Sequence, residues 1–374
     1  MSNIIEVNPS RVDPANFGRP VPQVQSTAID EDSDGQRLDN YLIRQLKGVP
    51  KTHIYRLIRS GQVRVNKARA AADTRLQSGD VVRIPPVRVA ERSVSPPIST
   101  VPAAQFKVVF EDEALLVIDK PAGVAVHGGS GVSFGVIEQL RRSRPDAKFL
   151  ELIHRLDRET SGLLMIAKKR SALKHLQDQL RERETGKTYL ALVSGRWPLN
   201  KKVLDKPLHK YLLGEDECSE RRVKVVSKDD PNGMRAITLV QVRARTAQTT
   251  PMKAPKTSTA PSTKPSWTEQ GFSLLEVTIK TGRTHQIRVH LASEGCPIAG
   301  DDKYGDFDIN KALASLKADV STPAKTPLKR MFLHAWRLQF THPLSAERVE
   351  LHAELPEELQ NFLSYVLPSE LRNP

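Results

Sequence analysis

The chain has 374 residues, more than one ordinary domain holds, and its 39% hydrophobic and 27% charged residues are the balance of a soluble globular protein. No stretch approaches the roughly 18 apolar residues of a membrane-spanning helix. The start MSNIIEVNPSRVDP has neither the order of a secretion signal nor the look of a transit peptide, so a cytoplasmic protein without membrane contact is expected. A net charge of +14 favours a polyanionic partner, since phosphate neutralisation dominates nucleic-acid affinity, although charge alone does not separate RNA, DNA and anionic lipid.

Residues 1–34 are polar and without periodicity, which reads as a disordered tail. From Gly35 the pattern changes. Leu38, Tyr41, Leu42 and Leu46 fall at helical spacing, Gly48 and Pro50 end that helix, and Ile54, Leu57 and Ile58 begin another. Alternating Val63 and Val65, a turn at Asn66 and Lys67, and Val81, Val82 and Ile84 then predict a small β element. Residues 36–92 hold thirteen Lys or Arg against four Asp or Glu, so this short segment carries +9 of the whole charge. Its residues RLDNYLIRQL, GVPKTHIYRLIRSGQVRVNKAR and LQSGDVVRIP resemble the S4 RNA-binding domain, which gives a module over 35–92. Arg56, Arg59, Arg64, Lys67 and Arg69, with Tyr55 and Asn66 among them, are the expected RNA face. Taken alone, such a run is more often an ordinary solvated surface.

A Pro-rich stretch from Pro85 to Ala104 reads as an extended spacer and places a linker at 93–104. Beyond it VVFED, LLVIDK, LLMIAKK, TYLALVSG, RVKVV, MRAITLVQVRAR and SLLEVTIKTG read as strands, and Ser171 to Arg183 as an amphipathic helix with Leu173, Leu176 and Leu180 on one face. Strands that outnumber helices without βαβ alternation predict an α+β domain on a mixed or antiparallel sheet over 105–366. The Thr-, Pro-, Ser- and Lys-rich segment 246–268 reads as a flexible insertion.

Cys218 and Cys296 sit in unrelated contexts, and neither they nor the histidines show metal-ligand spacing, so no disulfide, metal or cofactor is expected. The loop VHGGSG lacks the GK[ST] of a phosphate-binding P-loop. In ELIHRLDRETSGLLMIAKK, Asp157 follows a short apolar run and precedes a turn into a strand. His154, Arg155 and Arg158 flank it, and positive neighbours favour an ionised carboxylate. An Asp beside arginines is commonly a surface ion pair or a turn cap.

HRLDRETSGLL resembles the signature of the RluA/RluC/RluD class of pseudouridine synthases. DKPAGVAVHGGSG, KTYLALVSG, KTGRTHQIRVHLASEGCPIAGDDKYG and FLHAWRLQFTHP follow in the family's order, and GVPK.HIYRLIRSGQVRVNK and RIPPVRVAER have the pattern of the RluC type. The likeness covers roughly residues 35–365. It implies a monomer, without cofactor, that isomerises uridine to pseudouridine in large-subunit ribosomal RNA, with Asp157 as the catalytic carboxylate. It further implies Tyr189 as the active-site tyrosine, Arg283 as the partner of the carboxylate, and RNA contacts by Arg155 and His154, with Arg155 filling the stack that the flipped uridine leaves. By residue type alone, Tyr189 is a packed strand aromatic and Arg283 a turn residue before a helix capped by Thr284. A non-catalytic RNA-binding factor stays open at this point, and a carboxylate-pair glycoside hydrolase fits poorly because no second acid stands in a comparable block.

Overall fold

The computed structural model of the chain describes residues 24–30, 33–46, 49–87, 103–128, 134–213, 220–246, 270–316 and 327–367. Residues 1–23 of the expected tail, residues 88–92 of the expected module, 93–102 of the expected linker, the end of the Gly-rich loop, Cys218 and the insertion from 247 lie outside them. By its internal contacts the chain divides into two compact units, Met1–Thr100 and Val101–Pro374.

In the first unit, helices α1 (Leu38–Gln45) and α2 (Lys51–Arg59) pack on a four-stranded sheet. That sheet holds β1 (Gln25–Ala28), β2 (Arg64–Val65), β3 (Ala68–Arg69) and β4 (Val81–Ile84) in the order β1-β4-β2-β3. The helical spacing of Leu38, Tyr41 and Leu42 and of Ile54, Leu57 and Ile58 brings all six to one core with Val63, Leu76, Val82 and Ile84. Asn66 and Lys67 both have positive φ, 48° and 65°, as a tight two-residue hairpin turn requires. Strand β1 corrects the reading of residues 1–34 as a structureless tail: Gln25 to Ala28 pair antiparallel with Ile84 to Val81, and Ile29 is buried. Its side chains are exposed, so the strand is made by main-chain pairing along an open edge and has no apolar alternation to announce it.

The second unit is built on a ten-stranded mixed sheet. Its strands are β5 (Lys107–Glu111), β6 (Leu115–Lys120), β7 (Glu151–Leu152), β8 (Ser161–Ala167), β9 (Gly186–Ser194), β10 (Val203–Asp205), β13 (Ile237–Arg245), β14 (Phe272–Ile279), β15 (Leu333–Thr341) and β16 (Arg348–His352). A separate hairpin pairs β11 (Leu208–Leu213) with β12 (Glu220–Val225). The main path runs β10-β13-β14-β9-β15-β8-β6-β5, with β7 on β8 and β16 on β15; β15 and β8 are parallel and the other pairs antiparallel. The helices are α3 (Val136–Ser143), α4 (Arg170–Glu182), α5 (Gln286–Ala292), α6 (Phe307–Ala314) and α7 (Glu357–Val366). No helix among the described residues is long and apolar enough to cross a membrane.

Strands β6 and β8 show why LLVIDK and LLMIAKK are continuous apolar runs. Leu116, Ile118, Leu164 and Ile166 join one core cluster with α3, α5, α6 and α7, while Leu115, Val117, Leu163 and Met165 face the other with Ala172 and Leu176 of α4. A strand covered on both faces has no polar side to show. Burying a residue such as Leu164, fully shielded here, contributes about 2 to 3 kcal/mol.

Candidate active site

Asp157 lies in the loop between β7 and β8, its side chain 30% exposed, on the wall of a cleft of about 610 Å³. Such a volume suits one nucleotide. The loop is held from behind. Lys120, with no exposed surface, donates from Nζ to the carbonyls of Pro121, Val124 and Arg158 at 2.7, 2.8 and 3.1 Å. Arg158 Nε donates to the Gly123 carbonyl at 3.0 Å, and Gly123 N–H returns a bond to the Arg158 carbonyl at 2.9 Å. Burial brings the Lys120 pKa down to about 7, and the charge of Arg330 adds to the effect. After the loop, Gly162 has φ +108°, and a Cβ there would stand 2.3 Å from the Ala335 carbonyl oxygen, so the parallel approach of β8 to β15 requires glycine.

Next to Gly162 the side chains form a continuous chain of hydrogen bonds. Arg330 Nη2 donates to Ser161 Oγ at 2.7 Å, Ser161 Oγ lies 2.9 Å from His334 Nδ1, and His334 Nε2 lies 3.0 Å from the Ala353 carbonyl. A carbonyl only accepts, so Nε2 carries the proton and Nδ1 accepts from the serine. Burial lowers the His334 pKa to about 4, which keeps the ring neutral.

The partner of Asp157 is Arg288, on α5, whose Nη1 lies 3.6 Å from Asp157 Oδ2. This corrects the expectation for Arg283. Its Nε donates to the Arg235 carbonyl at 3.1 Å and its backbone N–H to Gln286 Oε1, so it lines the cleft without pairing with Asp157. The physical reason is the left-handed turn at His285, φ 52°, which separates the two arginines and starts α5 after it. The helix cap is His285 and not Thr284. Arg288 is buried and grips Asp301 with two parallel bonds, Nε to Oδ2 at 2.7 Å and Nη2 to Oδ1 at 2.6 Å, with a third to Asp302 at 2.9 Å. Burial opposes its charge, but the hydrogen bonds and charges of Asp301, then the charge of Asp157, outweigh it and raise the pKa further. A fork held this way by Asp301 and Asp302 leaves Nη1 to a third carboxylate, Asp157.

Tyr189 and Lys187, on β9, line the same cleft. Burial, with the charge of Asp157, pushes the tyrosine hydroxyl above its usual range, so Tyr189 keeps its proton. Burial lowers the Lys187 pKa to about 8. Arg155 is exposed on the cleft wall. His154 also lines it but is no cation: its Nε2 accepts the backbone N–H of Met165 at 3.2 Å, and burial lowers its pKa to about 3. The positive charge expected beside Asp157 therefore comes from Arg288, a residue that the sequence reading passed over, as it did Lys187, Lys120 and Asp301. An arginine between the apolar Ile287 and Val289 of a short helix, ahead of the acids Asp301 and Asp302, is the signal in the sequence.

In the first unit, Arg56, Arg59, Lys67 and Arg69 are exposed and Arg64 is half-buried, donating to the Gly61 carbonyl at 2.8 Å. Tyr55 and Asn66 have internal duties. The tyrosine hydroxyl donates to Asp39 at 3.1 Å, and Asn66 bonds both Asp80 and the Val81 N–H at 2.8 Å.

Residues 114–293 match the family model of the RNA pseudouridylate synthases, and residues 36–82 that of the S4 domain. The ribosomal large subunit pseudouridine synthase C of Escherichia coli K12 is 47% identical over 345 residues, 91% of this chain and 96% of that protein. The chain belongs to the RNA pseudouridylate synthase family. The Haemophilus influenzae synthase C is 45% identical over 343 residues, 91% of this chain and 94% of its own length. The human RNA pseudouridylate synthase domain containing 4 shares the fold at TM-score 0.50 and 27% identity, over 70% of this chain and 92% of that one. As a pseudouridine synthase the protein is an isomerase: it detaches uracil from its sugar and rejoins it through carbon.

Proposed function

We propose that this pseudouridine synthase acts on uridines of large-subunit ribosomal RNA, with Asp157 as its catalytic carboxylate. The observation that carries the reading is Asp157 itself: one carboxylate at a nucleotide-sized cleft, paired with the free edge of a buried arginine. The named relatives are large-subunit enzymes at 45–47% identity over nearly the whole chain, which supports the choice of RNA.

The reaction breaks the bond from N1 to C1′, forms one from C5 to C1′, releases the C5 proton and protonates N1. Attack on C1′ and removal of the C2′ proton both need an aimed carboxylate, and the pairing with Arg288 provides the aim. Tyr189 offers a ring for the extruded base, and because its phenol stays protonated it can take the C5 proton only by passing its own onward. Lys187 and Arg283 are cleft donors for the nucleotide, and Arg283 acts there without holding Asp157. Arg155 fills the vacated stack, so Arg155→Ala slows turnover of folded RNA more than of an unstructured oligonucleotide, and equal losses on both would count against that role. Residues 35–92 serve as the RNA-binding module, through Arg56, Arg59, Arg64, Lys67 and Arg69. The protein works in the cytoplasm, and as a monomer, as its family resemblance implies.

The test is tritium release from a large-subunit ribosomal RNA transcript made with [5-³H]uridine. Wild-type protein releases label, and Asp157→Asn loses about 10⁴-fold or more of the rate while its RNA dissociation constant stays within about twofold. Release by the variant at the wild-type rate would remove Asp157 from the chemistry.

A further inference from the structure

The contact of Arg288 with Asp157 is its loosest one, 3.6 Å against 2.6 and 2.7 Å to Asp301. The bonds of Nε and Nη2 to Asp301, and of Nη2 to Asp302, hold one edge of the guanidinium but leave its plane free to tilt about that edge, and such a tilt carries Nη1, on the opposite side, toward or away from Asp157. The tilt is set from one face by Tyr304, whose ring centroid lies 5.2 Å from Arg288 Cζ.

Tyr304 is itself held at three points. Its backbone N–H donates to Asp301 Oδ1 at 3.0 Å, so the acid that grips Arg288 also fixes the turn carrying the tyrosine. Its hydroxyl accepts the N–H of Val223, on β12, at 3.1 Å. The same oxygen lies 2.9 Å from His285 Nδ1, at the left-handed turn that starts α5. Val223 is buried, and with Leu208 of β11 it packs on Ala236 and on Val289, the residue after Arg288. Hairpin, turn and helix therefore meet at one phenol oxygen.

We infer that Tyr304 is a positioning residue for the isomerisation: anchored on the β11–β12 hairpin, it braces Arg288 at the tilt that aims the guanidinium at Asp157. The inference rests on the reading of Asp157 as the catalytic carboxylate. Tyr304 touches no reacting atom and acts through Arg288. Its loss lowers the rate of the chemical step and leaves RNA binding in place.

The experiment is single-turnover tritium release from the same [5-³H]uridine transcript, at saturating full-length protein, for wild type, Tyr304→Phe and Tyr304→Leu. The phenylalanine keeps a ring under Arg288 and removes only the anchoring oxygen; the leucine removes the brace. The rate falls about tenfold in the first and about a hundredfold in the second, the ordinary scale for misaligned groups, while the RNA dissociation constant stays within about twofold. Because Phe matches Tyr in shape, its melting temperature stays within about 3 °C, and Tyr304→Phe decides the matter even if Tyr304→Leu does not fold. A wild-type rate in Tyr304→Phe overturns the inference. So does a loss that disappears at higher RNA concentration, or one that tracks a fall in melting temperature, since either shows a binding or structural role. No tritium release by wild-type protein counts against the pseudouridine reading itself and appears before any variant is compared, so the two failures are told apart.

Discussion

The cations of the first unit's expected RNA face and Arg288 of the second unit are used in opposite ways. In the first, Arg56, Arg59, Lys67 and Arg69 stand in solvent, and among its described residues the one ion pair, Arg37 with Asp39, involves none of them. In the second, Arg288 is shielded from water and tied to Asp301, Asp302 and Asp157. A hydrated cation attracts phosphate over a distance that salt sets, and tolerates imprecision. A desolvated one holds a single direction and costs the fold dearly if its counter-ion is lost. Binding in the first unit should therefore answer to ionic strength, and catalysis in the second to geometry and protonation.

The largest effect is expected at Arg288. Arg288→Ala leaves Asp301 buried without its counter-ion and lowers unfolding free energy by about 3 to 5 kcal/mol in urea titration. Arg288→Lys keeps the charge but not the fork, and its turnover falls about a hundredfold with RNA affinity retained. An equal loss of affinity would erase the distinction between the units.

Acid comes next. His334 titrates near 4 when folded and near 6.5 when unfolded, so above pH 6.5 it is neutral in both states and its protonation costs nothing. Between pH 6.5 and 4 only the unfolded chain takes the proton, so stability falls as pH falls, by about 3 kcal/mol at pH 4. Denaturation of wild type and His334→Gln at pH 7 and pH 4 isolates this term, because Gln can keep both hydrogen bonds without titrating. Equal acid losses in the two proteins would contradict it. His154, half-buried and neutral, works in the same direction.

The smallest effects belong to the first unit. Single alanine substitutions at Arg56, Arg59 or Lys67 weaken RNA binding modestly and reduce the slope of log affinity against log salt by about one each, with the rate of bound RNA unchanged. A slope that does not move would take these residues off the RNA face.

How much of this could be read in the sequence follows from how local each cause is. LLVIDK and LLMIAKK declare β6 and β8 because each strand alone satisfies the pattern of a doubly covered strand, and the stripe on α4 is equally self-contained. Strand β1 is silent because Gln25–Ala28 takes its conformation from β4, more than fifty residues away. That Asp157 and Tyr189 line one cleft was legible through the motifs around them. The choice between Arg283 and Arg288 was not, because it turns on the reversal at His285 and on Asp301, thirteen residues beyond the arginine it grips. Nor was the neutrality of His154, since the residues beside it in the chain are charged and only the folded surroundings are dry. Charge can be counted in a sequence; its desolvation cannot.

The most direct measurement maps pseudouridines in large-subunit ribosomal RNA from cells that lack the gene and carry either the wild-type chain or Asp157→Asn, at equal protein levels. The account predicts that specific pseudouridines vanish with the gene, return with the wild-type chain and stay absent with Asp157→Asn. Their full return with the variant would contradict it.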